Sequence, residues 1–419
     1  MTEPQPSSRC LDAFITVLNE RAGVMGGWYT PTIELQLVSL QFCVACRSIS
    51  KLRLRVKKKT PFYLWADAAT EGRVVTRALK RLSLRIPIPQ PRKLAWQLAT
   101  WRVGSSFAGF EKLEYLTLGG EFDGSIDDVV WPHGLKALVI RGKFNRSLTN
   151  VVWPPSLQEL GLGVSFNQPI NDVRWSVGLE ELNLAGQFSQ SISNLPPSLV
   201  RLHTKSKFDR SLADVVWPVR LRELALGYAF NQPIDEVAWP NSLELVDFGQ
   251  SFDQPVGRIK WPPAMSSLTF GYRFNQPVDR VEWPPALSSL TFGDSFDQPV
   301  DRVKWPPALS SLTFEDGFDQ PIRGVNWPSS VEDIRFGDMF NQRINAVSWP
   351  RSLKYIGFGA CFNQPVEGVS WPASLLALAY ETDPFRQPLP KVPGVRVVGD
   401  PSHLLCSRAC SSCVRTWRK

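Results

Sequence analysis

Phe274-Asn-Gln-Pro-Val-Asp-Arg-Val-Glu-Trp-Pro-Pro-Ala-Leu-Ser-Ser-Leu-Thr-Phe-Gly-Asp-Ser295 runs directly into Phe296-Asp-Gln-Pro-Val-Asp-Arg-Val-Lys-Trp-Pro-Pro-Ala-Leu-Ser-Ser-Leu-Thr-Phe-Glu-Asp-Gly317, and the two stretches differ at four of 22 positions. Self-similarity at a fixed period outranks length as a guide to fold, although 419 residues alone would suggest two or three globular domains. Aligned on the leading Phe, units start at Phe122, Phe144, Phe166, Phe188, Phe208, Phe230, Phe252, Phe274, Phe296, Phe318, Phe340 and Phe362. Every interval is 22 residues except one of 20, where a two-residue deletion falls between Phe188 and Leu195 and Leu195-Pro196 replaces the usual Trp-Pro.

Within the unit, Phe274, Val278, Val281, Trp283, Leu287, Leu290 and Phe292 are the apolar set, and each predicts a core position. The segment L-x-x-L-x-F ends in the period-two alternation of a strand, as at Leu135-Leu138-Ile140, Leu157-Leu160-Leu162 and Leu309-Leu312-Phe314. Proline lacks an N–H and fixes its own φ, so Pro277, Pro284 and Pro285 belong in turns between strands. Each unit is therefore one coil of a solenoid with one parallel strand per roughly 22 residues. A coil this small cannot cover the entropic cost of its own ordering, and stacking on its neighbours supplies the missing burial. The Asn or Asp after the Phe recurs in eleven of the twelve units, Ser189 being the exception, and its side chain is expected to form a hydrogen-bonded ladder between stacked turns.

The signature F-N-Q-P-[IV], then W-P, then S-L-x-x-L-x-F-G resembles the FNIP repeat family, which is related to leucine-rich repeats. The resemblance covers about residues 107–380. This chain departs from the family pattern in having Trp where Leu commonly precedes Pro, and Ser125, Ser147, Ser191 and Ser211 where Pro is usual; neither change is expected to alter the fold. The resemblance implies a mainly β, right-handed, leucine-rich-repeat-like solenoid.

Weaker strand patterns precede the array, at Ile49-x-x-Leu52-x-Leu54-x-Val56 and Leu79-x-x-Leu82-x-Leu84-x-Ile86, and place the first coil near residue 49. Ahead of them a helical cap is expected, through Leu11–Leu18 and again through Leu35–Ile49, to hide the apolar edge of that coil. The expected organisation is a helical cap over residues 1–48, irregular leucine-rich coils over 49–106, the repeat solenoid over 107–380, and a C-terminal cap and tail over 381–419. Leu11-Asp-Ala-Phe-Ile-Thr-Val-Leu18 and Leu37-Val-Ser-Leu-Gln-Phe-Cys-Val-Ala-Cys-Arg47 are also similar to an F-box, without its Leu-Pro start and with Gly23–Thr32 as an insertion. That resemblance implies a ubiquitin-ligase adaptor as partner.

Charge is unevenly spread. Residues 1–105 hold seventeen Lys or Arg against six Asp or Glu, residues 106–400 twenty-six against thirty-three, and the last nineteen residues four against none. The repeats are thus mildly acidic between basic ends. The opening residues show no basic and then apolar signal pattern, and the longest apolar run, Leu35–Cys46, is broken by Gln36, Ser39 and Gln41 and is too short to span a bilayer. Seven cysteines, with Cys361 alone inside the array, do not make a disulfide framework, which points to a cytoplasmic or nuclear setting.

Chemistry has little purchase here. His403, Cys406, Cys410 and Cys413 supply metal-ligand types, yet with Trp417 they follow the spacing of one helical stripe and span about 15 Å at 1.5 Å per residue, too far for one tetrahedral ion. A short C-terminal capping helix is the expected reading, and Cys43-Val-Ala-Cys46 stands at the far end of the array. His133, His203 and His403 sit in unrelated places, and no phosphate loop, nucleophile elbow or H-E-x-x-H appears, so neither an enzyme nor a cofactor is expected. Lys51-Leu-Arg-Leu-Arg-Val-Lys-Lys-Lys59 lacks interleaved aromatic platforms and reads as a solvated basic face rather than a nucleic-acid site. The outward positions between the strand leucines remain. Ser266, Ser267, Thr269, Ser288, Ser289, Thr291, Ser310, Ser311 and Thr313 would form a flat hydroxyl strip flanked by charged coils, the candidate face for an extended protein partner.

Overall fold

The alternation of buried Leu or Phe with half-buried polar residues makes short strands, and the strands recur once per coil. In the computed structural model, residues 34–36, 62–66, 93–98, 112–119, 122–204, 207–380 and 394–398 are described, and they fall into two compact units, Met1–Phe188 and Ser189–Lys419. The division coincides with the start of the one short repeat.

The first unit carries β1 (Glu34–Gln36), β2 (Phe62–Ala66), β3 (Lys93–Leu98), β4 (Tyr115–Gly119), β5 (Ala137–Ile140), β6 (Glu159–Leu162) and β7 (Glu181–Leu184). From β1 to β7 successive strands pair in parallel, in registers such as Leu94↔Leu116, Leu116↔Leu138, Leu138↔Leu160 and Leu160↔Leu182. The second unit carries β8 (Arg201–Thr204), β9 (Glu223–Leu226), β10 (Leu245–Asp247), β11 (Ser267–Thr269), β12 (Ser289–Phe292), β13 (Ser311–Phe314), β14 (Asp333–Arg335), β15 (Tyr355–Phe358), β16 (Ala377–Tyr380) and β17 (Arg396–Val398), again parallel throughout. Both units are mainly β parallel solenoids.

Three turns close each coil. In the coil that begins at Phe274, the Val281 N–H donates to the Val278 carbonyl at 3.3 Å, Leu287 to Pro284 at 3.1 Å and Phe296 to Gly293 at 3.0 Å. Pro285 takes the second place of its turn, where a fixed φ is an advantage. Inside, all seven apolar positions of this unit are buried. The leading Phe rings stack from coil to coil: Phe122 on Phe144 at 5.8 Å in the first unit, and Phe252 on Phe274 at 6.1 Å and Phe274 on Phe296 at 6.0 Å in the second, all within 12° of parallel. From Phe248 to Phe358 the last position of the L-x-x-L-x-F segment is also Phe, and Phe248, Phe270, Phe292, Phe314, Phe336 and Phe358 form a second column with neighbours 5.5–5.9 Å apart. The two columns meet at 4.1 Å between Phe292 and Phe296, and Trp283 lies edge-on to Phe270 and Phe292. Offset-stacked and edge-to-face rings are the arrangements aromatic quadrupoles favour.

The expected ladder after the Phe is present. In most coils the Asn or Asp oxygen accepts the backbone N–H of its counterpart in the next coil and the following Gln amide: Asn167 and Gln168 onto Asn145, Asn275 and Gln276 onto Asp253, Asn341 and Gln342 onto Asp319. A second ladder uses Ser before the first strand Leu. Ser242 Oγ donates to the Leu221 carbonyl at 2.7 Å, Ser330 to Leu309 at 2.6 Å and Ser352 to Val331 at 2.6 Å.

Two expectations need correction. Glu34–Gln36 is a strand paired with β2, with Leu35 opposite Leu64, so no helix begins at Leu35 and the ladder reaches back ahead of residue 49. Ile33-Glu34-Leu35-Gln36-Leu37 alternates with period two, and that short signal outweighs the apolar run that follows. The ladder also continues past Tyr380, since β17 pairs Val397 with Leu378. The strand patterns at 49–56 and 79–86, the helical caps at 11–18 and 403–417, the basic stretch 51–59 and both C-x-x-C pairs lie outside the described residues. Among the described residues there is no helix.

Candidate functional site

From β8 to β14 the two positions flanking the central Leu, Val or Ile face away from the core. Register then turns them into two rows across the second unit. One row runs Leu245, Ser267, Ser289, Ser311, Asp333, Tyr355; the other runs Asp247, Thr269, Thr291, Thr313, Arg335, Gly357. Parallel neighbours stand about 4.8 Å apart, so Ser267, Ser289 and Ser311 with Thr269, Thr291 and Thr313 form a hydroxyl patch two residues wide and three strands long. All six are half-buried and none has a bulky neighbour in its own row across this patch.

Ser266, Ser288 and Ser310 stand differently from these six. Their hydroxyls donate backward to the preceding coil, Ser266 Oγ to the Glu244 carbonyl at 3.2 Å, Ser288 to Ser266 at 3.0 Å and Ser310 to Ser288 at 3.0 Å. These are the three coils in which Ala264, Ala286 and Ala308 occupy the place of the usual ladder Ser. The hydroxyl has shifted two residues along and still pins one coil to the last, and this gives the three serines a structural bond as well as a place beside the patch.

The flanks are charged. Asp247 borders the patch on one side; on the other, Arg335 Nη2 lies 3.1 Å from the Asp333 carboxylate on the same strand. Burial pushes the Asp333 carboxyl above its ordinary range, and Arg335 pulls it part of the way back. Farther along, Arg201 and Glu223 are opposite each other in register, and His203 Nε2 sits 3.0 Å from Glu223 Oε1.

An acidic shoulder borders the patch where the strands end. Asp294, Glu315, Asp316 and Asp338 follow β12, β13 and β14, and Glu315, Asp316 and Asp338 line a shallow cleft with Thr313, Arg335 and Gly357. Burial, then repulsion from Asp294 and Asp316, raises the Glu315 pKa above the ordinary 4.5, against a smaller downward pull from Arg335. Burial and Asp316 likewise raise Asp294. The shoulder went unmarked in the sequence. Its only signal there is Glu315 standing where Gly249, Gly271, Gly293, Gly337 and Gly359 stand in other coils. Among the described residues, no group of His, Cys, Asp or Glu has metal-holding geometry, and no helix is long and apolar enough to cross a membrane.

Comparison with known proteins agrees with the coil geometry. The FNIP Repeat family profile matches residues 208–251, 274–317 and 318–361. Among solved structures, the chain is similar to CroV588, described as a novel circular LRR protein, at 30% identity and a TM-score of 0.54, over 73% of this chain and 51% of that one. The chain therefore spans about half the length of that protein. An internalin from Listeria monocytogenes aligns at 13% identity and a TM-score of 0.43, over 77% of this chain and 94% of that one. No curated protein sequence matches significantly.

Proposed function

Starting from a chain that carries FNIP repeats in a leucine-rich-repeat-like parallel solenoid, we propose that it is a non-catalytic scaffold that binds another protein along the exposed strand face of β11–β13. The observation that carries this is the register that lines up Ser267, Ser289 and Ser311 beside Thr269, Thr291 and Thr313, with Asp247 at one end of the patch and Asp333 and Arg335 at the other. Small hydroxyls on a rigid sheet present donors and acceptors at regular spacing and cost little side-chain entropy when a partner is seated. A cytoplasmic or nuclear partner fits the cysteine pattern. A receptor role in ubiquitin transfer would add a ligase-adaptor contact within residues 10–47, and it rests on the sequence resemblance there.

Affinity capture with the full-length chain tests the scaffold reading. Thr291→Arg with Thr313→Arg places long side chains on the face, while Arg280→Ala trims a turn residue whose side chain is 88% exposed. Proteins captured by the parent and by Arg280→Ala but lost with the double variant are the expected result. Capture that is equal for all three overturns the assignment of the face. Recovery of a ligase adaptor, lost on replacing Leu11 and Leu18 by Lys, would extend the scaffold to a receptor.

A further inference from the structure

The two most alike coils diverge at one place for a steric reason. Of the four differences between Phe274–Ser295 and Phe296–Gly317, two are Gly293 against Glu315 and Ser295 against Gly317. A Cβ on Gly293 would overlap the Gly271 carbonyl oxygen, because the coils approach closely there. In the next coil the close approach has moved two residues along, where a Cβ on Gly317 would overlap the Asp294 carbonyl oxygen. Position 315 is thereby released to carry a side chain. It carries a carboxylate, half-buried beside Asp294 and Asp316.

Charge at this spot is out of balance. In the cleft lining, Glu315, Asp316 and Asp338 face one cation, Arg335, which is already engaged at 3.1 Å with Asp333. Among the described residues, no cation lies within salt-bridge distance of Glu315, Asp316 or Asp338. Thr313 belongs both to the hydroxyl patch and to the cleft, so the two surfaces are continuous. The patch spans three strands, about 10 Å from first to last, which an extended segment of three or four residues crosses.

We propose that the partner seated on this face is an extended, basic segment of another protein, with one Lys or Arg side chain entering the cleft between Glu315, Asp316 and Asp338. The proposal rests on the scaffold reading of the same face and specifies the chemistry of its partner. Hydroxyls of the patch hydrogen-bond the segment's backbone, and its cation relieves the repulsion among the carboxylates of the shoulder.

The test is selection of a phage-displayed random dodecapeptide library on the full-length chain, followed by fluorescence anisotropy on the enriched peptides after synthesis. Two variants report on the cleft: Glu315→Gln, and Glu315→Gly with Gly317→Ser, which matches Gly293 and Ser295 of the neighbouring coil and so is expected to fold. Thr291→Arg reports on the patch, and thermal melts confirm the fold of each. Enrichment of Lys or Arg peptides, with affinity roughly tenfold weaker for both cleft variants and weakened by salt, supports the proposal. Peptides that lack basic residues, or that bind the cleft variants as tightly as the parent while failing on Thr291→Arg, overturn the cation site and leave the scaffold reading standing. No enrichment, or binding that ignores Thr291→Arg, overturns both.

Discussion

Asn275 Oδ1 accepts the backbone N–H of Asp297 at 3.0 Å and the side-chain amide of Gln298 at 2.9 Å. One oxygen thus satisfies two donors of the next coil, and the geometry asks only for an acceptor at that atom. Asp supplies it as well as Asn, which explains why Asp253, Asp297 and Asp319 alternate with Asn231, Asn275 and Asn341. Asn275→Asp is therefore expected to change stability little, while Asn275→Ala strands the part-buried Asp297 N–H, leaves the Gln298 amide only the Asn275 backbone carbonyl at 3.1 Å, and costs about 1–3 kcal/mol. Urea unfolding followed by tryptophan fluorescence checks the pair; equal losses for both variants would contradict the ladder.

The double Phe column makes a second prediction. Phe292 stacks on Phe270 at 5.8 Å and Phe314 at 5.5 Å and touches Phe296 at 4.1 Å. Leu118, Ile140, Leu162 and Leu184 fill the same coil position in the first unit, so the backbone accepts an aliphatic side chain there. Phe292→Ala should cost about 3–5 kcal/mol, and Phe292→Leu clearly less, of the order of the 0.5–1.5 kcal/mol assigned to an aromatic pair beyond area. Denaturant midpoints at unchanged m-value would show the difference.

Period and turn chemistry carried the coil, strand and core directly, because Phe274, Val278, Leu287 and Leu290 repeat where burial demands them and Pro284-Pro285 can only turn. Other features depend on distances between coils, which periodicity does not encode. Ser266, Ser288 and Ser310 look like outward strand residues in the alternation, yet each precedes the first paired residue of its strand, where its N–H and that of the next residue share one carbonyl and the hydroxyl turns back to the same atom. Glu315 reads as an ordinary loop change until the approach of the neighbouring backbone shows that Gly is the default there. At Glu34–Gln36 three residues of alternation compete with a longer apolar run, and pairing with β2 decides.

Gly293 and Glu315 make a matched pair for that steric argument. Gly293→Ala forces a Cβ into the Gly271 carbonyl oxygen, and the coils must separate locally to relieve it. A loss of about 1–3 kcal/mol is expected, in the range of overpacked sites. Glu315→Gly alone removes no packing of this kind and is expected to cost at most about 1 kcal/mol through backbone entropy. If Gly293→Ala melts with the parent, the close approach is not a constraint in solution.

The acidic shoulder gives stability a pH dependence of definite sign. Glu315 and Asp294 have pKa values raised in the folded chain, so the folded state holds their protons more tightly than the unfolded state does. Their contribution to stability is fully present below the ordinary values of 4.5 and 3.8 and is lost as pH rises through the raised folded values. Once the pH has passed those folded values the two carboxylates repel each other and Asp316, screened in part by solvent. Glu315→Gln removes the central charge and keeps the shape. It should raise Tm by about 1–2 °C at neutral pH, with the gap to the parent closing as pH falls toward the ordinary carboxylate range. Differential scanning calorimetry across that range decides it: a gap that stays constant or widens on acidification would mean that no unrelieved charge at Glu315 awaits a partner there.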